Sequence, residues 1–301
     1  MNLLTNIYSK LKPRQFEPFV VIRLLLPILV LQLGGCFVPS LQQRIQLADD
    51  IARQSRLQAT VISTQQFKFK VYQRATEQTH TLLILYIEGD GRAWTPRQRI
   101  SSNPTPVNPV ALKLAARDSA PALAYIARPC QYVSLASESR CSFSTWTDAR
   151  YSNDVVNAFM DVISQLKAQY GSQHIGLVGY SGGGTIAALV AARRQDVSWL
   201  VTVAGNLNPD LWTKIHRVGP LTKSLNPIDD RQRLQKLQQL HFVGADDEVM
   251  PVAVANSYQA KLGNDHRSKV VVVKNQDHGC CWQNIWPQLM CSNIGVNTAS
   301  C

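Results

Sequence analysis

Several common signatures are missing from this 301-residue chain. None of its seven cysteines stands in a CxxC pair, the spacing that marks most structural zinc sites. Its basic residues form no dense run and no Arg/aromatic module, which argues against a nucleic-acid reader despite a formal charge of +11. No internal repeat or low-complexity tract points to a solenoid or a disordered arm. The most apolar N-terminal run, residues 24–31, is too short to span a bilayer comfortably. Acidic residues are scarce, 20 against 31 Lys and Arg, so the chain should favour anionic surroundings. Part of that excess is local: Lys10, Lys12, Arg14 and Arg23 face only Glu17 in the first 35 residues, and without them the charge is about +8.

What is present begins with that N-terminus. A basic stretch ending at Arg23 leads into the apolar run and then into Leu33-Gly34-Gly35-Cys36. This is the order of an export signal, and Leu-Gly-Gly-Cys resembles the bacterial lipobox. The resemblance implies cleavage before Cys36, lipidation of its thiol and attachment to a membrane. Phe37 lacks the Asp that commonly retains lipoproteins at the inner membrane, so in a Gram-negative host the anchor is expected in the outer membrane, facing the periplasm. An oxidising compartment makes disulfides of the six remaining cysteines. Cys130 and Cys141 are the expected pair, because both fall in one loop after a predicted strand; the pairing of Cys280, Cys281, Cys291 and Cys301 stays open.

Residues 1–35 therefore read as a signal peptide, 36–65 as a tether or short amphipathic helix, and 66–301 as one domain of ample length for a single core. Phe67, Phe69 and Val71 alternate with Lys68, Lys70 and Tyr72, the period-2 pattern of a half-buried strand. Continuous apolar runs follow at 82–87, 123–127, 175–179, 199–204, 240–243 and 270–273. Runs of this kind fit strands of a mostly parallel sheet covered on both faces, with helices expected at 106–117, 154–170 and 185–194. Residues 205–236, rich in Trp, Pro, Asn and Gly, read as a lid-like insertion.

Chemistry enters at Gly179-Tyr180-Ser181-Gly182-Gly183, which follows one apolar run and precedes a small-residue helical segment. Strand, G-x-S-x-G, helix is the context of a nucleophile elbow, in which glycines permit a sharp turn and leave the Ser hydroxyl exposed. A hydroxyl near neutral pH needs a base, and the base needs an orienting carboxylate. After the run at 240–243 comes Gly244-Ala245-Asp246-Asp247-Glu248-Val249-Met250-Pro251, with Asp247 the expected acid and Asp246 the alternative one residue away. After the last run comes Asn275-Gln276-Asp277-His278-Gly279, which nominates His278 as base. The backbone N–H of Gly182 and that of Asp90 or Gly91, in Glu88-Gly89-Asp90-Gly91, are the expected oxyanion donors. Of the other histidines, His241 reads as a core residue, His80, His174 and His266 as solvated, and His216 as part of the insertion.

Motifs in the order Ser181, Asp247, His278 make the chain similar to the α/β-hydrolase superfamily from residue 80 to about 285. The resemblance implies a serine hydrolase acting on small-molecule or lipid esters through an acyl-enzyme, without metal or organic cofactor. Peptidase and acyltransferase chemistry use the same intermediate and stay open, as does a non-catalytic envelope-binding role. Where the superfamily often carries His-Gly, this chain has Glu88-Gly89. The stretches 128–132, 146–152 and 205–208 are expected at carboxyl ends of strands, where Arg and aromatic side chains line ligand pockets and hold anionic groups.

Overall fold

The computed structural model describes residues 38–95, 99–263 and 267–294; the expected export signal, Cys36, His266 and Cys301 lie outside the described residues. Eight strands form one sheet: β1 (Leu57–Ser63), β2 (Lys68–Arg74), β3 (Leu82–Ile87), β4 (Leu123–Ile126), β5 (His174–Tyr180), β6 (Val197–Val203), β7 (Gln238–Gly244) and β8 (Ser268–Val273). Their spatial order is β1-β2-β4-β3-β5-β6-β7-β8. β2 runs antiparallel to both β1 and β4, and every later pairing is parallel. Each of the six apolar runs became a strand, as continuous hydrophobicity dictates when both faces of a sheet are covered.

Alternation within those runs divides the core in two. On β3, Leu83, Leu85 and Ile87 face the helices Asn153–Tyr170 and Gly182–Arg193, whereas Ile84 and Tyr86 face Leu41–Gln54, Val110–Arg117 and Trp282–Ile294. In chain order the longer helices are α1 (Leu41–Gln54), α2 (Val110–Arg117), α3 (Asn153–Tyr170), α4 (Gly182–Arg193), α5 (Pro209–His216), α6 (Val252–Leu262) and α7 (Trp282–Ile294). No helix among the described residues is long and apolar enough to cross a membrane.

Of the segment 36–65, read as a tether or short amphipathic helix, the described part holds the helix α1 and the strand β1. Ser40 onward belongs to the same compact unit as the rest. The Ser40 side chain caps α1 through Gln43 N–H, and Ala48 and Ala52 are buried in the core. β1 then pairs with β2 along seven residues. Leu57-Gln58-Ala59-Thr60-Val61-Ile62-Ser63 shows no apolar run because an edge strand with mostly solvent-facing side chains carries little hydrophobic signal.

The 205–236 insertion is the crossover from β6 to β7. It contains α5 and is tied down at both sides: Trp212 Nε1 donates to Val249 O at 2.9 Å, and Ser224 Oγ donates to Asp148 O at 2.6 Å. Cys130 and Cys141 form a disulfide that closes the loop after β4, and adjacent Cys280 and Cys281 are joined in another. Cys291 is disulfide-bonded as well.

Candidate active site

The carboxyl ends of β5, β7 and β8 bring three side chains together. Ser181 follows β5 directly, with φ 51° and ψ −122°, and its oxygen lies 3.1 Å from His278 Nε2. His278 Nδ1 lies 2.9 Å from Asp247 Oδ2. Asp247 Oδ1 accepts from Met250 N–H at 2.7 Å, so both carboxylate oxygens are committed and the side chain is buried. Asp246 does not enter this chain of contacts; its N–H donates to Gln276 O at 3.1 Å, which pins the acid loop to the histidine loop.

The elbow is sharp because its neighbours leave no room for side chains. A Cβ at Gly179 would lie 2.4 Å from Gly183 O, one at Gly183 would lie 2.3 Å from Ile87 O, and one at Gly182 would lie 2.1 Å from Asp90 Oδ1. Tyr180, between Gly179 and Ser181, donates its hydroxyl to His278 O at 2.8 Å, and the two rings pack tilted, 5.3 Å apart. The residue just before Ser181 thereby holds His278. Nothing in the motif itself announces that role.

The loop after β3 forms the other wall. Gly89 N–H is taken by the carboxylate of Glu88 at 3.0 Å, and Gly89 O accepts from Gln131 Nε2 at 3.0 Å. Gly91 turns at φ +64°, where a Cβ would lie 2.1 Å from Pro104 O. The Asp90 carboxylate lies close against Gly182, the residue that follows Ser181. Asp90, not Gly91, is the residue packed against the elbow.

Two carboxylates of this loop sit in contrasting surroundings. Burial pushes the Glu88 carboxyl up to about 7, against the pull of N–H donors from Gly89 and Ala111 and of the Tyr125 hydroxyl. Asp90 is also desolvated, yet Arg150 and Arg128 hold its carboxyl below the usual range. Arg128 Nη1 donates to Oδ1 at 2.9 Å, Arg150 Nη1 to Oδ2 at 2.8 Å, and the Tyr151 hydroxyl to Oδ2 at 2.8 Å. Arg128 also donates to Arg150 O and packs on the Tyr151 ring. The stretches 128–132 and 146–152 were expected to line the site, but nothing in the sequence linked their arginines to Asp90 across 38 and 60 positions.

The other described histidines stand apart from this centre. His241 is fully buried, pairs through Nδ1 with Thr202 Oγ1 at 2.9 Å, and is pushed down to about 3 by burial. His216 Nε2 contacts Val249 O at 2.9 Å, and His80 pairs with Thr76. Among the described residues no group of three or more His, Cys, Asp and Glu side chains could hold a metal ion.

Residues 136–224 match a family model described as the alpha/beta hydrolase fold. No curated protein sequence matches the chain. Among solved structures, an alpha-beta serine hydrolase homologue from Coxiella burnetii aligns with a TM-score of 0.52 and 17% identity, over 77% of this chain and 93% of that one. A candidate lipase from Acinetobacter baumannii AYE gives 0.53 and 16%, covering 88% and 99% of the two chains. A bacterial membrane phospholipase A gives 0.50 and 15%, covering 86% and 91%. Identities this low speak to architecture alone. Strand order, the strand–elbow–helix unit and these matches agree, and the chain has the α/β-hydrolase fold.

Proposed function

We propose that this chain is a serine hydrolase of carboxylic esters, with Ser181 as nucleophile, His278 as base and Asp247 as the acid that orients it. The observation that carries the reading is the continuous path from Ser181 Oγ through His278 to the buried Asp247, with contacts of 3.1 and 2.9 Å. Ser181 Oγ attacks the ester carbonyl as its proton passes to His278 Nε2, and Asp247 stabilises the imidazolium through Nδ1–H. Charge builds on the carbonyl oxygen, where the N–H groups of Gly182 and Asp90 receive it. Collapse expels the alcohol, which takes the proton from His278. Water then repeats the sequence on the acyl-enzyme and releases the acid.

The expected compartment follows from residues 24–36. We place the mature chain in a bacterial cell envelope, held to the membrane by a lipid on Cys36, with the catalytic unit beginning a few residues later at Ser40.

The reading is tested by reacting the full-length chain, extracted in detergent, with a fluorophosphonate probe. Wild type should label and Ser181→Ala should not; labelling that survives the substitution, or a folded wild type that never labels, would overturn it. Cys36→Ala should release the chain from the membrane fraction.

A further inference from the structure

The loop after β3 carries more than Asp90. Residues 93–95 and 99–101 pair as the two arms of a hairpin: Thr95 N–H donates to Arg99 O at 2.8 Å, Ser101 N–H donates to Ala93 O at 2.9 Å, and Trp94 bridges Ile100. One side of the hairpin is braced, since Ala93 is buried with Cys130 and Trp146, and Trp146 Nε1 donates to Ser101 O at 3.2 Å. The other side is bare. Trp94 and Ile100 stand opposite one another, so their side chains share a face, and they are 46% and 40% exposed. Val107, further along the same loop, is exposed as well, and its neighbour Asn108 reaches the histidine loop by donating to Gly279 O at 3.1 Å. Single apolar residues on a surface are ordinary; a Trp–Ile pair on a braced hairpin, in the loop that also walls the nucleophile elbow, is a local concentration.

Charge is one-sided here too. No acidic residue occurs from 91 to 117, against five Lys and Arg. Arg99 is exposed next to Ile100, and Lys113 Nζ donates to Asn108 Oδ1 at 2.6 Å. The exposed acids near the relay, Asp246, Glu248 and Asp277, lie on the loops after β7 and β8. The chain enters the compact unit on the hairpin's side: Arg44, in the first turn of α1, donates through Nη1 to Thr105 O. Cys36 precedes Ser40 by four residues, a covalent reach of at most about 14 Å.

We propose that the Trp94–Ile100 face docks on an anionic lipid bilayer, so that the esters delivered to Ser181 are those of the membrane that the anchor at Cys36 holds. Delivery rests on the proposed hydrolase and its anchor; docking rests on the hairpin. An indole suits the interfacial layer, where acyl chains lie on one side and polar headgroups on the other. Arg99 and its basic neighbours meet the anionic headgroups. A lipid at Cys36 alone leaves the catalytic unit free to tumble above the surface. The hairpin gives it one orientation, with the carboxyl ends of the parallel strands turned to the lipid. The patch orients and does not hold: it is small and its charge is screened by salt, so loss of the lipid on Cys36 still releases the chain.

Docking is read on the full-length chain carrying Ser181→Ala, bound to vesicles of equal parts phosphatidylcholine and phosphatidylglycerol with brominated acyl chains. Its tryptophan emission should be quenched more than that of the same chain with Trp94→Phe added, and the difference should shrink in phosphatidylcholine alone. Delivery is read with Ser181 intact, as the ratio of kcat/KM for 4-nitrophenyl palmitate held in the vesicles to that for water-soluble 4-nitrophenyl acetate. Trp94→Ser/Ile100→Ser should lower this ratio roughly tenfold, from the apolar surface withdrawn from lipid, and leave acetate turnover unchanged. Both side chains are exposed and outside the relay, so the variant should fold. Trp94 that stays unquenched in the vesicle-bound chain overturns the docking and leaves the hairpin to a protein partner. A ratio unmoved by the double substitution, or acetate turnover that falls in parallel, overturns it as well. Quenching is measured without the serine, so it decides the docking even where the fluorophosphonate never labels wild type, and a failed docking leaves labelling of Ser181 untouched.

Discussion

Ser181, Asp247 and His278 each stand on the loop that directly follows a strand, while Asp90 is held by Arg128, Arg150 and Tyr151, contributed by the two ends of a long loop that the Cys130–Cys141 disulfide closes. In the first group Asp247 is buried and fully bonded, but Ser181 and His278 are lightly bonded and His278 is 21% exposed. The second is dense, charged and nearly dry. Groups that exchange protons with substrate need access and few competing partners. Groups that hold a wall in position need the opposite, and a buried ion network supplies rigidity at the cost of desolvation. The two sides should therefore respond differently to substitution, the relay through turnover and the Asp90 side through stability.

The largest effects belong to the relay. Ser181→Ala or His278→Ala should each lower kcat by about 10⁴-fold to 10⁶-fold, and the double variant should lose little more, because the members act as one unit. Ester turnover by the three variants, beside their melting curves, checks this; losses that multiply would mean that the two residues serve separate steps. The folds should be nearly as stable as wild type. Asp90→Ala should reverse that pattern. It strands two buried guanidinium groups, which should cost about 3 kcal/mol of stability in denaturant titration. Should Asp90→Ala melt with wild type while Ser181→Ala does not, the division between the two sides is wrong.

The same division explains what the sequence made legible. Strands β3 to β8 are read from their apolar runs, and Ser181, Asp247 and His278 from positions just after β5, β7 and β8. Both signals are local: a few consecutive residues suffice to place each. Selecting Asp247 over Asp246 also needed only the spacing to Pro251. The Asp90 network has no local signature. Arg128 and Arg150 are ordinary surface residues to any window of sequence, and only the pairing of β3 with β4 brings the first of them to Asp90. Glu88 stands out in the sequence as a departure from His, yet its burial against Tyr125 and the start of α2 depends on a hydroxyl 37 positions away and a backbone N–H 23 positions away. β1 was missed for a different reason: its side chains are largely wet, and its existence rests on backbone pairing with β2.

Glu88 sharpens the comparison through pH. Its folded-state pKa of about 7 lies above the ordinary value of 4.5. Between those values the folded chain binds more protons than the unfolded one, so stability is fully present below about pH 4.5 and is lost as pH rises through 7. The full effect is of order 3 kcal/mol, from about 1.4 kcal/mol per pKa unit. His241 acts in the opposite sense: with its pKa near 3, stability falls as pH drops below its ordinary 6.5. The two are separated by difference. Glu88→Gln keeps an acceptor for Gly89 and Ala111 and cannot ionise, so the gap in unfolding free energy between variant and wild type should widen from pH 5 to pH 8. A gap that stays constant would mean that Glu88 ionises normally in the fold.

The smallest expected effect falls on the disulfide between Cys130 and Cys141. It closes a loop of sequence separation 11, so its loss in Cys130→Ala/Cys141→Ala should cost about 2 kcal/mol, chiefly by freeing the unfolded chain. The consequence for the site is more specific than the loss of stability. Arg128 lies two residues before Cys130 and Arg150 nine after Cys141, so slack in this loop reaches Asp90 from both flanks while leaving Ser181, His278 and Asp247 on their own strands. Fluorophosphonate labelling, which reports the activated serine, should therefore fall less than ester turnover if, as proposed, turnover draws on the Asp90 wall as well. Equal losses in the two assays would show that the disulfide supports the relay as much as the opposite wall, and the two sides of the site would then be one structure with a single failure mode.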